Sequence, residues 1–150
     1  MGCGKMKITN ATLGEVDDIH DLIYKNAMKG LMLYRTKEEI AYHIRDYFVR
    51  YEKGKAIGCV GLKVWDKNSG EIYALAVDPK YTGKGIGRTL VKACIKEAEN
   101  IKLPRIFALT YRQEMFLKLG FKKLTLRDLP KKIFTEKTVN VDRAYGMKLT

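Results

Sequence analysis

Apolar positions along the chain follow two periods, and the switches between them mark out the elements. Met6 to Ala11 reads as a short strand. Thr12-Leu-Gly-Glu15 is a capping-box pattern, after which Val16, Ile19, Ile23 and Ala27 line one face of a helix that Gly30 stops. Leu31 to Arg35 is an apolar connector ending in a charge. Thr36-Lys-Glu-Glu39 is a second capping box, opening a helix with Ile40, Ile44 and Phe48 inward. From Phe48 the period shortens. Phe48 to Tyr51 and Ala56 to Trp65 read as strands around a Glu52-Lys-Gly54 turn. Asp66 to Gly70 is rich in turn formers, and Ile72 to Val77 is the next strand. Helical spacing returns at Leu90, Val91, Cys94, Ile95 and Ala98. Arg105 to Thr110 is then a strand, Glu114 to Leu119 a short helix ended by Gly120, and Phe121 to Leu126 a strand. Leu129 to Lys132 reads as an irregular connection and Thr138 to Leu149 as a last strand. The order βααβββαβαββ predicts an α+β protein with a mixed, mostly antiparallel central sheet and helices on both faces.

Between the Ile72–Val77 strand and the following helix lie three glycines at alternate positions, Gly83, Gly85 and Gly87. A strand, a glycine-rich turn and a helix start in that order aim several backbone N–H groups at one point. The helix dipole adds positive potential there, so the natural occupant is a phosphate or pyrophosphate.

Composition narrows the setting. At 150 residues the expectation is one domain over 1–150, with residues 1–5 an unstructured lead before Met6. No apolar run approaches a membrane helix, and the N-terminus lacks a signal-peptide core, so a cytoplasmic protein with no membrane partner is expected. Cys3, Cys59 and Cys94 suit neither a disulfide framework nor a zinc site, and His20 and His43 fall far apart on helices; no metal is expected. The formal charge of +12 favours an anionic partner, although Lys and Arg are spread along the whole chain as a solvated basic surface would be.

Three phosphate-binding patterns compete for the glycine loop. Gly83 to Thr89 does not fit a Walker A loop. Gly83-Lys-Gly85-Ile-Gly87 has the wrong spacing for a dinucleotide fingerprint, and hairpins precede it in place of a parallel crossover. Thr82-Gly-Lys-Gly85-Ile-Gly87 resembles the [RQ]-x-x-G-x-[GA] loop of the GNAT superfamily of acetyl-CoA-dependent N-acetyltransferases. It matches at both glycines and departs at Thr82, where that family usually has Arg or Gln. Glu71-Ile-Tyr-Ala-Leu-Ala-Val-Asp-Pro79 is similar to the family's fourth strand, and Phe116-Leu-Lys-Leu-Gly-Phe121 to its downstream helix-to-strand segment. The resemblance implies a GNAT fold with a splay at the fourth strand. Within the superfamily, Gly30 to Thr36, Gly58 to Lys63, Phe107 to Thr110 and Leu129 to Lys132 resemble N-acetylglutamate synthases and related amino-acid N-acetyltransferases, of which the acetyltransferase domain alone is expected here.

The resemblance also assigns expected roles. The N–H groups of Gly83, Lys84, Gly85, Gly87 and Arg88 would cradle the pyrophosphate of acetyl-CoA, with Thr82 and Thr89 as candidate hydroxyl donors. Ala76 and Val77 would pair through their backbones with the pantetheine arm. Glu71 stands where relatives place a general base acting through water, and it also reads as a polar residue at a strand entry. Phe116 occupies the position of the family's Tyr acid and has no proton to give, so it reads as core. Thr110 matches the hydroxyl of synthase-like relatives, with Tyr111 as a nearby alternative. Arg35, Lys63 and Arg143 match carboxylate-binding basic positions, and each is also readable as plain surface. The C-terminal stretch Phe134 to Arg143 lacks the cysteines some relatives carry.

The expected activity is acetyl transfer to the amine of a small carboxylate-bearing substrate, first L-glutamate, which would place the protein in amino-acid and arginine biosynthesis. A peptide or protein acceptor is the alternative, and a non-catalytic nucleic-acid-binding module a remote one, resting on charge alone. A homodimer is left open.

Overall fold

The computed structural model describes residues 7–149; the expected lead at residues 1–5 and Cys3 lie outside the described residues. In chain order the elements are β1 (Lys7–Asn10), α1 (Val16–Met28), α2 (Lys37–Tyr42), β2 (Tyr47–Glu52), β3 (Lys55–Asp66), β4 (Ser69–Val77) and α3 (Ile86–Asn100). There follow β5 (Arg105–Leu109), α4 (Gln113–Lys118), β6 (Lys122–Lys123), α5 (Ile133–Glu136) and β7 (Ala144–Lys148). The seven strands among the described residues form one mixed sheet in the order β1-β2-β3-β4-β5-β7-β6. β4 and β5 run parallel, whereas β1–β2, β2–β3, β5–β7 and β6–β7 are antiparallel. The α+β class and mixed sheet are therefore as expected. The residues divide into two compact units, the first through Gly61 plus Ala74–Ala93, the second Leu62–Tyr73 plus Cys94 onward.

In the first unit both capping boxes form. Glu15 Oε1 accepts from the Thr12 N–H at 2.6 Å, and Thr36 Oγ1 accepts from Glu39 N at 3.1 Å. The other Glu15 oxygen accepts the Tyr51 hydroxyl at 2.5 Å, fastening the start of α1 to β2. That bond holds the Glu15 carboxyl below its ordinary pKa, and burial pushes the Tyr51 phenol up. Ile19, Leu22 and Ile23 supply the buried face of α1. α2 is shorter than its apolar spacing suggests. It ends at Tyr42, Ile44–Asp46 makes one 3-10 turn, and the β-prone run Tyr47-Phe-Val-Arg-Tyr51 enters β2 at once.

The second unit has its core in Trp65, Phe107, Leu129, Ile133 and Ala144, with Leu109, Leu124, Val139 and Val141 packed on it. Here three boundaries differ from the sequence pattern. β4 begins at Ser69, ahead of the expected Ile72, since Gly70 leaves room for Leu103, whose Cδ1 would lie 2.6 Å from a Cβ there. β6 is only two residues, since the Asp128 carboxylate accepts from the Thr125 N–H at 2.8 Å and turns the chain. The expected long last strand is shortened to β7 by a 3-10 turn at Val141–Arg143 that the Asn140 side chain caps, accepting from Asp142 N at 3.0 Å. The four-residue α5 went unforeseen because one turn carries no readable period, yet its Ile133 is wholly buried.

How α3 meets the sheet fixes the position of the glycine loop. A Cβ on Gly58 of β3 would lie 2.8 Å from Leu90 Cδ1 and 3.3 Å from Ile86 Cγ2, so the first turn of α3 rests directly on this glycine. Gly58→Val must displace the Leu90 and Ile86 side chains seated there. It is expected to destabilise the protein by about 1–3 kcal/mol, read as a lower urea midpoint at unchanged slope.

Candidate functional site

In the first unit β4 passes through Ala74, a non-glycine residue in the left-handed region at φ 53°, a conformation of the kind that costs roughly 1–3 kcal/mol. The groups just beyond it are satisfied internally. Buried Asn26 donates to Leu22 O at 2.9 Å and to Val77 O at 3.0 Å, and Asp78 N donates to Ile57 O at 2.8 Å. The Asp78 carboxylate accepts from Lys80 N at 2.9 Å and pairs with Lys55 at 3.6 Å. Burial works to raise its pKa; the Lys80 amide and the charges of Lys25 and Lys55 outweigh that and hold it below the usual range. Cys59, whose thiol donates to Ala74 O, has its pKa pushed up to about 12 by burial and is no nucleophile.

The glycine loop itself is open. Gly83 and Gly85 have φ of 78° and 77°, and a Cβ at either would meet nothing within 4 Å. Backbone angle, rather than space, therefore requires glycine here. Gly83, Lys84, Gly85 and Arg88 are exposed. α3 starts at Ile86, and the first N–H groups of a helix have no intrahelical acceptor. With the α3 dipole added, a helix head of this kind presents the features that suit an anion. Both candidate hydroxyls point elsewhere: Thr82 donates to Pro79 O at 3.1 Å and Thr89 to Ile86 O at 2.7 Å. Thr89 Oγ1 also accepts from Arg50 Nη1 at 2.7 Å. Arg35 sits half-buried in this unit ahead of α2.

In the second unit Glu71 is a buried carboxylate, 3% exposed. Its Oε1 accepts the Trp65 indole N–H at 2.9 Å, and Lys137 Nζ donates to both oxygens at 3.2 and 3.0 Å. Lys63 Nζ lies 3.9 Å over the Trp65 ring and 3.6 Å from Glu136, which also pairs with Lys132. Thus Lys63 comes next to Glu71 through Trp65, with its charge already shared. At the end of β5, Thr110 Oγ1 accepts from Arg112 N at 2.7 Å, and Thr110 N donates to Arg143 O at 2.9 Å. The Arg143 guanidinium stacks 3.6 Å over the Tyr111 ring. Thr110, Tyr111 and Arg143 are therefore neighbours. Phe116 is core, edge-on to Phe121.

Sequence reasoning missed Trp65, Lys137 and Arg50. Trp65, the sole tryptophan, and Arg50, a charge amid the β2 apolar run, were visible signals; Lys137 had none. His20 contacts Tyr34 on an exposed helix face, and no metal-binding group occurs among the described residues. No helix there is long and apolar enough to cross a membrane.

Comparison with known proteins gives this arrangement a context. Residues 16–121 match the profile of the acetyltransferase (GNAT) family. An uncharacterized N-acetyltransferase of Chlorobaculum tepidum is 34% identical over 87% of this chain and 84% of its own length. The amino-acid acetyltransferase of Neisseria meningitidis (strain Z2491) is 32% identical over 83% of the chain, which spans only 29% of that protein. Among solved structures, N-acetylglutamate synthase of Neisseria gonorrhoeae complexed with coenzyme A and N-acetyl-glutamate superimposes with a TM-score of 0.87 at 29% identity. The match covers 97% of this chain and 35% of that one.

Asp78, immediately before the loop, offers a check on how the loop is held. Its folded pKa is depressed, so its stabilisation is complete above the unfolded value of about 4 and is lost as pH falls through the folded one. Asp78→Asn is expected to cost about 1–3 kcal/mol at pH 7, a gap that closes toward pH 3 in paired urea titrations.

Proposed function

The chain belongs to the acetyltransferase (GNAT) family, and for this acetyl-CoA-dependent N-acetyltransferase we propose that the acceptor is a small carboxylate-bearing amine, L-glutamate first. The observation that carries the proposal is the likeness, over 97% of this chain and 35% of the other, to an N-acetylglutamate synthase solved with coenzyme A and N-acetyl-glutamate. The same reading proposes a cytoplasmic place in amino-acid biosynthesis, arginine supply in particular.

The residues present fit the donor. The open Gly83–Gly85 turn and a helix head whose first amides have no intrahelical acceptor suit a diphosphate, held by the N–H groups of Gly83, Lys84, Gly85, Gly87 and Arg88. Acetyl-CoA, when bound, supplies the acetyl thioester. Because Asn26 holds the Val77 carbonyl, backbone pairing with the pantetheine arm falls first on Ala76. Thr82 and Thr89 contribute by bracing the loop.

The acceptor ammonium must lose a proton before it attacks. Glu71 is proposed to take it through water on the side of half-exposed Lys137, since the Trp65 N–H closes the other side. Thr110 receives the Arg112 amide on its oxygen, which leaves its own proton to be given to the departing thiolate; Tyr111, half-exposed, is the alternative acid. Arg143, flat on Tyr111, keeps the edge of its fork for a carboxylate. Arg35 is proposed as a second carboxylate partner and Lys63, shared with Glu136, as a weaker third.

One observation favours a second reading, a peptide lysine as acceptor: an alkylammonium, Lys137 Nζ, already rests on Glu71. Incubation with acetyl-CoA and either amino acids or lysine peptides, following free thiol, separates the two. Turnover with glutamate is expected; turnover on peptides alone overturns the acceptor assignment. Glu71→Gln is expected to lower kcat about 100-fold or more. Arg143→Ala should raise KM for the amino acid about tenfold or more, with KM for acetyl-CoA unchanged.

A further inference from the structure

Arg50 is a cation almost wholly removed from water, 3% exposed on β2. Its Nη1 donates to the neutral hydroxyl of Thr89, and its Nε has no hydrogen-bond acceptor. Glu52 acts on it only through space. A buried guanidinium without a bonded anion carries an uncompensated desolvation penalty, and the fold tolerates this one at a particular place. Arg50 lies directly opposite Gly58 in the β2–β3 register, so the two residues share a sheet face. On that face a Cβ at Gly58 would meet Ile86 in the first turn of α3 and Leu90 just after it. Arg50 therefore rises beside the seat of that turn and reaches Thr89 within it.

We propose that Arg50 is a buried counter-charge for the donor's diphosphate, acting from beneath the first turn of α3 as a positioning and affinity residue. The inference rests on the reading of the glycine loop as the acetyl-CoA site. The exposed Lys84 and Arg88 attract the same group from water, where salt screens them; a charge behind the helix head is screened far less. Both nearby hydroxyl protons are committed to Pro79 and Ile86 carbonyls, so Arg50 adds to the amides a positive charge already out of water. Without an anion the charge is a liability to the fold, and with one it is answered by an opposite charge.

Arg50→Met separates these roles. Coenzyme A affinity by calorimetry should fall about tenfold, or about 1.4 kcal/mol, and urea stability without ligand should be equal or higher. KM for acetyl-CoA should rise at constant kcat, while KM for S-acetylpantetheine, which lacks the diphosphate, moves less than about twofold. Arg50→Lys, which keeps the charge, should restore most of the affinity. Unchanged coenzyme A affinity in Arg50→Met would overturn the proposal, as would equal losses for both donors or a Lys variant as weak as the Met one. Failure of the unaltered protein to bind coenzyme A would instead overturn the site reading and this inference with it.

Discussion

A carboxylate taken out of water must be met by donors, and in the second unit the C-terminal stretch is arranged around that need at Glu71. Its oxygens are met by the Trp65 indole N–H and by Lys137. Lys137 follows α5, whose Ile133 is anchored in the same cluster that holds Trp65 and Phe107. Removing Lys137 would leave a buried charge with one neutral donor, a far costlier state than losing a surface pair. The packing of α5 and the electrostatics of Glu71 are thus one problem, solved together.

The first unit shows the complementary arrangement. Ahead of the glycine loop polar groups are answered from within: Val77 O by Asn26, Asp78 N by Ile57 O, the Asp78 carboxylate by Lys80 N and Lys55. This stiffens the chain up to Pro79. At the head of α3 that pattern gives way to a helix start, whose first amides have no intrahelical acceptor, beside the open glycines Gly83 and Gly85. Helix-head donors beside so stiff a segment need little further ordering to take an anion, which is what the proposed acetyl-CoA site asks of them.

Much of this was legible in the sequence because it is local. Capping boxes, a helix-stopping Gly30, the Lys53-Gly54 hairpin turn and the glycine loop each declare themselves within a few residues. What could not be read depends on pairs distant in the chain. Glu71 and Lys137 are 66 residues apart, and Arg50 and Thr89 are 39. The collapse of the expected Phe121–Leu126 strand to two residues, and the late start of β7, follow from side chains capping turns of three residues, too short for any period. Lys63 is matched by the resemblance to a carboxylate-binding position; the pattern could not reveal that Glu136 and the Trp65 ring had claimed it.

The loop's departure from its family pattern bears on Arg50. Where the resemblance leads one to expect Arg or Gln, this chain has Thr82, and the hydroxyl is turned back to Pro79 O. A donor is thereby missing at the loop entrance, on the solvent side. Arg50 supplies charge to the same helix end from the protein side, through Thr89. The two positions are not equivalent physically. An entrance arginine is hydrated and mobile when no anion is bound, so its gain on binding is offset by desolvation and lost rotamer freedom. Arg50 has already lost its water and its freedom on folding, and the cost is carried in the stability of the unliganded protein. An anion held this way depends on the packing of α3 on Gly58, and a shift of that turn would weaken it even with every loop residue in place.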